Sequence, residues 1–204
     1  SSIVATIGLS EDNIAVVVGA MVIAPLLAPN LALSFAATIG SKKLAISSLK
    51  SLIIGIALTL GITFSITFFS DINSLSNEII SRTKVGLGDI VLALASGAAA
   101  ALSMTTGISA SLVGVMVSVA LLPPAASFAI LLANERYEMA AGALILLLIN
   151  TVCVQLSGSL TFICQGFRGR TYLEREEAKS GLTIFMSFWI ILISILVASA
   201  LYIN

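Results

Sequence analysis

The chain has no histidine, two cysteines, four prolines and one tryptophan, and only 10% of its 204 residues are charged. An ordinary soluble domain carries about 25% charged residues. Without histidine there is no His-based metal or acid–base site, and two cysteines alone do not make a zinc site. A nucleic-acid binder needs a basic excess. Here ten Lys and Arg balance ten Asp and Glu, so nucleic acid is not an expected partner. What fills the space left by charge is 58% hydrophobic residues, with a mean hydropathy of +1.13. A soluble core does not hide that much apolar surface. The composition points to a polytopic membrane protein, with the lipid bilayer as its first partner.

A helix that crosses a bilayer takes about 20 apolar residues. Such runs cover 14–38, 44–70, 90–106, 109–133, 139–165 and 181–203. The expected class is all-α, because lipid offers no partner for open backbone. Barrel strands would be about 10 residues long with strict alternation. Residues 1–10 are apolar but too short to span, and read as the end of a truncated helix. Residues 71–89 read as an extramembrane loop and 166–180 as a cytoplasmic interfacial loop.

The runs repeat. Residues 18–29 read VGAMVIAPLLAP and residues 113–124 read VGVMVSVALLPP; at an offset of 95, seven of the twelve positions are identical. The register continues through Ala45/Ala140, Leu49/Leu144, Leu52/Leu147 and Ile54/Ile149. One unit is then helix, Pro-broken helix, helix. It occupies 1–70 and recurs over 90–165, with 181–204 as an extra transmembrane helix. Three crossings per unit is an odd number, so the copies are expected to be inverted, as in many secondary transporters. Charge agrees with this count. Lys42, Lys43, Lys50, Arg168, Arg170, Arg175 and Lys179 fall on one side, against Arg82, Lys84 and Arg136 on the other. The richer side is expected to be cytoplasmic.

Proline in a helix removes an N–H and frees the carbonyl four residues back. Pro25 frees Met21 and Pro29 frees Pro25; Pro123 and Pro124 free Val119 and Ala120. Gly19 and Gly114 precede these places and permit close approach, and Asn30 adds an amide. Two broken helices at matching repeat positions point to a midplane binding site. Asn150 and Gln155 sit in a very apolar run, either as glue between helices or as lining of a solute path. Five residues apart, they do not share a tight face. No Asp or Glu lies near the centre of a span, so a carboxylate proton relay is not expected. The small-faced stretch 96–101 (SGAAAA) suits either an intramolecular or an oligomer contact. No nucleophile motif or phosphate loop occurs, so no enzyme activity and no cofactor are expected. The expected function is a transporter or facilitator of a small solute or ion, acting as a homo-oligomer. An ion channel, or a scaffold or sensor anchoring a soluble domain, are the alternatives.

The stretch VVVGAMVIAPLLAPNLALSFA (16–36), preceded by IGLSEDN (7–13), resembles the signature of a bacterial and archaeal membrane family, domain of unknown function 389. That signature is a GAM-x-I-x-P-L-x-x-P run, matched here by Gly19, Ala20, Met21, Ile23, Pro25, Leu26 and Pro29. The later LLPPAA (121–126) resembles the second half of the family pattern. The resemblance implies a multi-pass protein, often with a soluble domain ahead of the membrane part, and no particular activity. The expected location is a prokaryotic inner or thylakoid-type membrane.

Overall fold

A computed structural model describes residues 1–70, 75–106 and 110–167, with Ser187 and Ser194 beyond them; the side chains at 27, 110–116 and 119 are outside the description. The expected helix at 181–203 and nearly all of the loop at 166–180 therefore lie outside the described residues. The described elements are all helical: α1 (Ser2–Ser10), α2 (Ile14–Val22), α3 (Leu27–Ile39), α4 (Lys42–Ser70), α5 (Asn77–Ser81), α6 (Leu87–Thr106), α7 (Ala110–Ala133) and α8 (Tyr137–Cys164). Among the described residues, α4, α6 and α8 are long and apolar enough to cross a membrane. Their most apolar stretches are buried to 22%, 33% and 67%. So α8 is the central helix and α4 an outer one, presenting Ile46, Ile53, Ile54, Leu58 and Phe68 outward.

Turn chemistry sets the connections. Asp12 (φ 56) turns α1 into α2, and the Asn13 side chain accepts the Val16 N–H at 3.2 Å, capping α2. Gly40 (φ 75) ends α3, and Glu135 (φ 59) follows α7 in the same left-handed conformation. The Asp12 carboxylate also takes Asn77 Nδ2 at 3.1 Å and the Glu78 N–H at 2.8 Å, and the Ser76 hydroxyl donates to the Leu9 carbonyl. This pins the α1–α2 turn against α5, just past the C-terminal end of α4.

Side-chain registers give the helix directions. Ser2 bonds Thr59 and Thr6 bonds Thr63, so α1 runs parallel to α4. Asn30 meets Gln155 and Ser34 meets Ser159, so α3 runs parallel to α8. Gly97 sits on Val154 while Gln165 bonds Thr105, so α6 is also parallel to α8. The start of α2 lies at one end of α4 and the end of α3 at the other. The pair α2–α3 thus traverses the bundle rather than turning back.

The first Pro motif breaks its helix as expected: within the run 14–38, α2 stops at Val22 and α3 begins at Leu27. Pro25 has no N–H for the Met21 carbonyl, which instead accepts from the Ala24 N–H at 3.2 Å. The second Pro motif, by contrast, does not break its helix. α7 runs through Pro123 and Pro124 because Asn150 Nδ2 donates to the Ala120 carbonyl at 2.8 Å, supplying from α8 what Pro124 withholds. Finally, the loop 71–89 contains α5, and α6 begins already at Leu87. The stretch 96–101 resolves as an intramolecular contact: Ser96, Gly97, Ala100 and Ala101 are buried, with Gly97 against the Val154 main chain.

Candidate functional site

The break between α2 and α3 is where polar groups collect. Ala24, at the break, accepts from the Ser118 hydroxyl of α7 at 3.4 Å. One turn into α3, Asn30 is fully buried, and its Nδ2 donates to the Leu26 carbonyl at 3.1 Å. Its Oδ1 accepts from Gln155 Nε2 of α8, also at 3.1 Å. The zipper continues along α3 and α8. The Ser34 hydroxyl lies 3.1 Å from the Gln155 carbonyl, and the Ser159 hydroxyl donates to the Ser34 carbonyl at 3.2 Å. Gly158 lets Ser34 come close, since a Cβ there would sit 3.1 Å from the Ser34 Oγ. Asn150, five residues before Gln155 on α8, reaches α7 at Ala120. Five residues is about 7.5 Å along a helix and about 140° around it. The two amides therefore serve different neighbours, one α7 and one α3, at adjoining levels.

The orientation of each amide follows from its partners. A carbonyl only accepts, so Asn30 must turn its NH2 to Leu26 and Asn150 must turn its NH2 to Ala120. Asn30 then shows its oxygen to Gln155, which must answer with its own NH2. Gln155 Oε1 and Asn150 Oδ1 are left over, buried and without a partner. Ser96 Oγ and Ser127 Oγ are buried and unpartnered as well. A buried acceptor left unmade is worth about 1–3 kcal/mol against the fold. No Asp, Glu, Lys or Arg occurs in 14–39, 90–133 or 139–165. The site therefore offers uncharged oxygen atoms and little else.

The remaining expected site residues are placed differently. Pro25 is exposed and Pro29 half-buried; both line an open groove of about 590 Å³ whose other walls come from α1 and α4, including Ser2, Thr59 and Ile62. Among the described residues, none of α7 lines that groove. Pro123 and Pro124 are buried within α7. The two Pro motifs are thus not facing walls of this groove. Met21 is buried, but Gly19 makes no close approach: a Cβ added there meets nothing within 4 Å. Gly114 lies in α7, and its surroundings, like the Val119 side chain, are outside the described residues. Ser34, Thr38, Ser118 and Ser159 also take part, outside the sites expected from the sequence. The stripes Asn30/Ser34/Thr38 and Gln155/Ser159 carry a signal, since residues four apart share a helix face.

A family model matches residues 21–156, a stretch that includes the break and both amides of α8. The family is described as Domain of unknown function (DUF389). The chain belongs to this family. The uncharacterized protein MJ0678 of Methanocaldococcus jannaschii is 35% identical over 192 residues, which is 94% of this chain and 60% of that protein. The chain thus spans less than two thirds of that relative's length. No solved structure matches. The DUF389 description assigns no activity, so the chemistry rests on the break and its amides.

Proposed function

We propose that the chain is the multi-pass membrane portion of a secondary transporter or facilitator for a small solute, working at the break between α2 and α3, where it meets α7 and α8. The membrane is a prokaryotic inner or thylakoid-type one. The observation that carries this reading is a main-chain break among helices without charge, tied to α7 through Ser118 and to α8 through the Asn30–Gln155 pair. In lipid, irregular backbone is tolerated only where it is buried in protein or lines a cavity, and polar groups there mark solute paths.

An inverted repeat is part of the proposal. At the offset of 95 residues, α8 begins at Tyr137 where α4 begins at Lys42, and left-handed Glu135 falls on left-handed Gly40. The ends of α1 and α3 and the start of α2 find their counterparts in α6 and α7 one residue away, within the usual scatter of helix ends. The pair Ser2–Thr59 corresponds to the pair Gly97–Val154. Because α3 runs parallel to α8, the middle of the first unit goes the way of the last helix of the second. Opposed units of this kind support the carrier reading.

The test is flux. Full-length protein in liposomes is assayed against a panel of monovalent ions, amino acids and organic anions. Saturable uptake that Gln155→Leu abolishes in folded protein is expected; no uptake of any solute sinks the reading. Conductance in planar bilayers above carrier turnover would move the assignment to a channel. The scaffold reading is favoured by the α3–α8 zipper, whose Ser34, Thr38 and Ser159 hydroxyls are all paired. Self-association, which belongs to the same proposal, has to use a face other than 96–101, since α8 already covers it.

A further inference from the structure

The open groove beside the break has a depth and a charge pattern of its own. Its walls are α1, the α2–α3 break and α4, and its volume is about 590 Å³. Ile3, Ile23, Ile54 and Leu58 line it and are each more than half exposed. The hydroxyls along it are spent inside the protein: Ser2 donates to Thr59, Thr59 to the Gly55 carbonyl and Ser51 to the Ser47 carbonyl. An occupant therefore meets hydrocarbon. Its depth follows from α4. Residues 51–70 carry no charge except at their far end, where Asp71 follows; at about 1.5 Å per residue they span about 30 Å, the thickness of a bilayer's hydrocarbon core. Lys50 then stands at one edge of that core. The groove follows α4 from Ser51 to Ile62, about 16 Å of helix, which is the depth of one leaflet. Lys43 and Lys50 precede it on α4. Around the helix they fall within about 20° and 40° of Ile54, at the edge of the groove. No Asp or Glu occurs in 1–10 or 13–70, so no carboxylate on α1 to α4 neutralises them.

We infer that this groove holds one acyl chain of an anionic phospholipid from the surrounding bilayer, with the phosphate at Lys50 and Lys43. Lysine stems lie along apolar surface and carry the ammonium to headgroup level. The main chain at the break does not stand in the way, because the Met21 carbonyl is bonded to the Ala24 N–H and the Ala24 carbonyl to the Ser118 hydroxyl. A zwitterionic lipid would fill the groove and leave the two lysines without a counter-charge. A second copy of the chain fits less well. A twofold axis along the membrane normal would set the lysines of both copies at the same level, like charge against like. The inference does not depend on solute movement at the break.

The experiment is native mass spectrometry of the full-length protein in detergent, titrated with phosphatidylglycerol or with phosphatidylcholine of the same acyl chains. One phosphatidylglycerol per chain is expected to bind more tightly than any further lipid, and more tightly than phosphatidylcholine. Lys43→Ala and Lys50→Ala should each weaken it about fivefold and leave phosphatidylcholine binding unchanged. Leu58→Trp fills the groove and should remove the tightly held lipid of either kind. Ile53→Trp, just as exposed on α4 but outside the groove, should leave it in place. All four positions are exposed, so the variants are expected to stay folded. Four results overturn the inference: no phospholipid held more tightly than the rest, no preference for phosphatidylglycerol, binding unchanged when both lysines are replaced, or the same effect from the two tryptophans. A second copy in the groove is tested with Leu58→Cys in a chain whose Cys153 and Cys164 are replaced. That variant should stay unlinked in native membranes, and efficient disulfide formation between copies would also overturn the inference.

Discussion

Gly97→Ala tests the packing on which the site depends. A Cβ at Gly97 would overlap the Val154 carbonyl oxygen and the Ser157 hydroxyl, and would lie 2.8 Å from the Val154 Cα. Carbon atoms in good contact stand about 3.5–4.0 Å apart. The serine hydroxyl can swing away, but the Val154 main chain cannot, so α6 and α8 must part. Overpacking of this sort costs about 1–3 kcal/mol. Alanine recovers up to about 1 kcal/mol of helix propensity over glycine. The net effect is a loss of about 1–2 kcal/mol. Gly19→Ala is the control, because nothing lies within 4 Å of its added Cβ. There only the propensity gain of about 0.5–1 kcal/mol remains. For a chain of this size each kcal/mol moves the melting temperature by about 2–4 °C. The two variants should therefore differ in sign, and be separated by roughly 3–12 °C in thermal unfolding in one detergent. Equal melting temperatures would refute the close approach of α6 to α8 at Gly97.

Asn150→Leu should lose about 1–3 kcal/mol by stripping the Ala120 carbonyl of its donor. Pro124→Ala, which restores a main-chain N–H to that carbonyl, should rescue it; a double variant no more stable than Asn150→Leu alone would show that Ala120 is not the point of failure. In a double-mutant cycle of Thr6→Val and Thr63→Val the coupling should be about 0.6 kcal/mol, the usual size for bonds between membrane helices; a zero coupling means α1 and α4 do not meet there. Pro29→Ala and Pro124→Ala should lower solute flux more than expression level, whereas equal loss of both would assign the prolines to packing. With Cys153 and Cys164 replaced, cysteine reporters at Glu11 and Glu135 should react with an impermeant reagent in whole cells. A reporter at Ser41 should react only after permeabilisation. All three reacting alike would contradict a full crossing by α2–α3.

Much of the architecture is legible before folding. Long uncharged runs announce helices because nothing else satisfies backbone in lipid. The break at Pro25 is readable too, because the missing N–H is a local fact. Pro123 and Pro124 carry the same local fact with the opposite result, since the rescuing donor is Asn150, 30 positions further on. The small residues of 96–101 promise close approach without naming a partner, and Val154 is that partner. Gly19 promises the same in sequence and has nothing near it. The paired faces Asn30/Ser34/Thr38 and Gln155/Ser159 are visible as stripes, yet their meeting spans 125 positions.

The absence of histidine and the scarcity of charge were enough to set the chemical alphabet of this protein. Any site within the runs 14–39, 90–133 and 139–165 has to be built from uncharged groups: amides, hydroxyls, a few sulfur atoms and the backbone. Which of those atoms are used up and which are free was decided only in three dimensions. A hydrogen bond needs both partners in place, and here the partners sit on helices far apart in the chain. Pro124 and Leu26 fix the way Asn150 and Gln155 turn, and the two oxygens they leave over exist as a feature only once α3, α7 and α8 have packed.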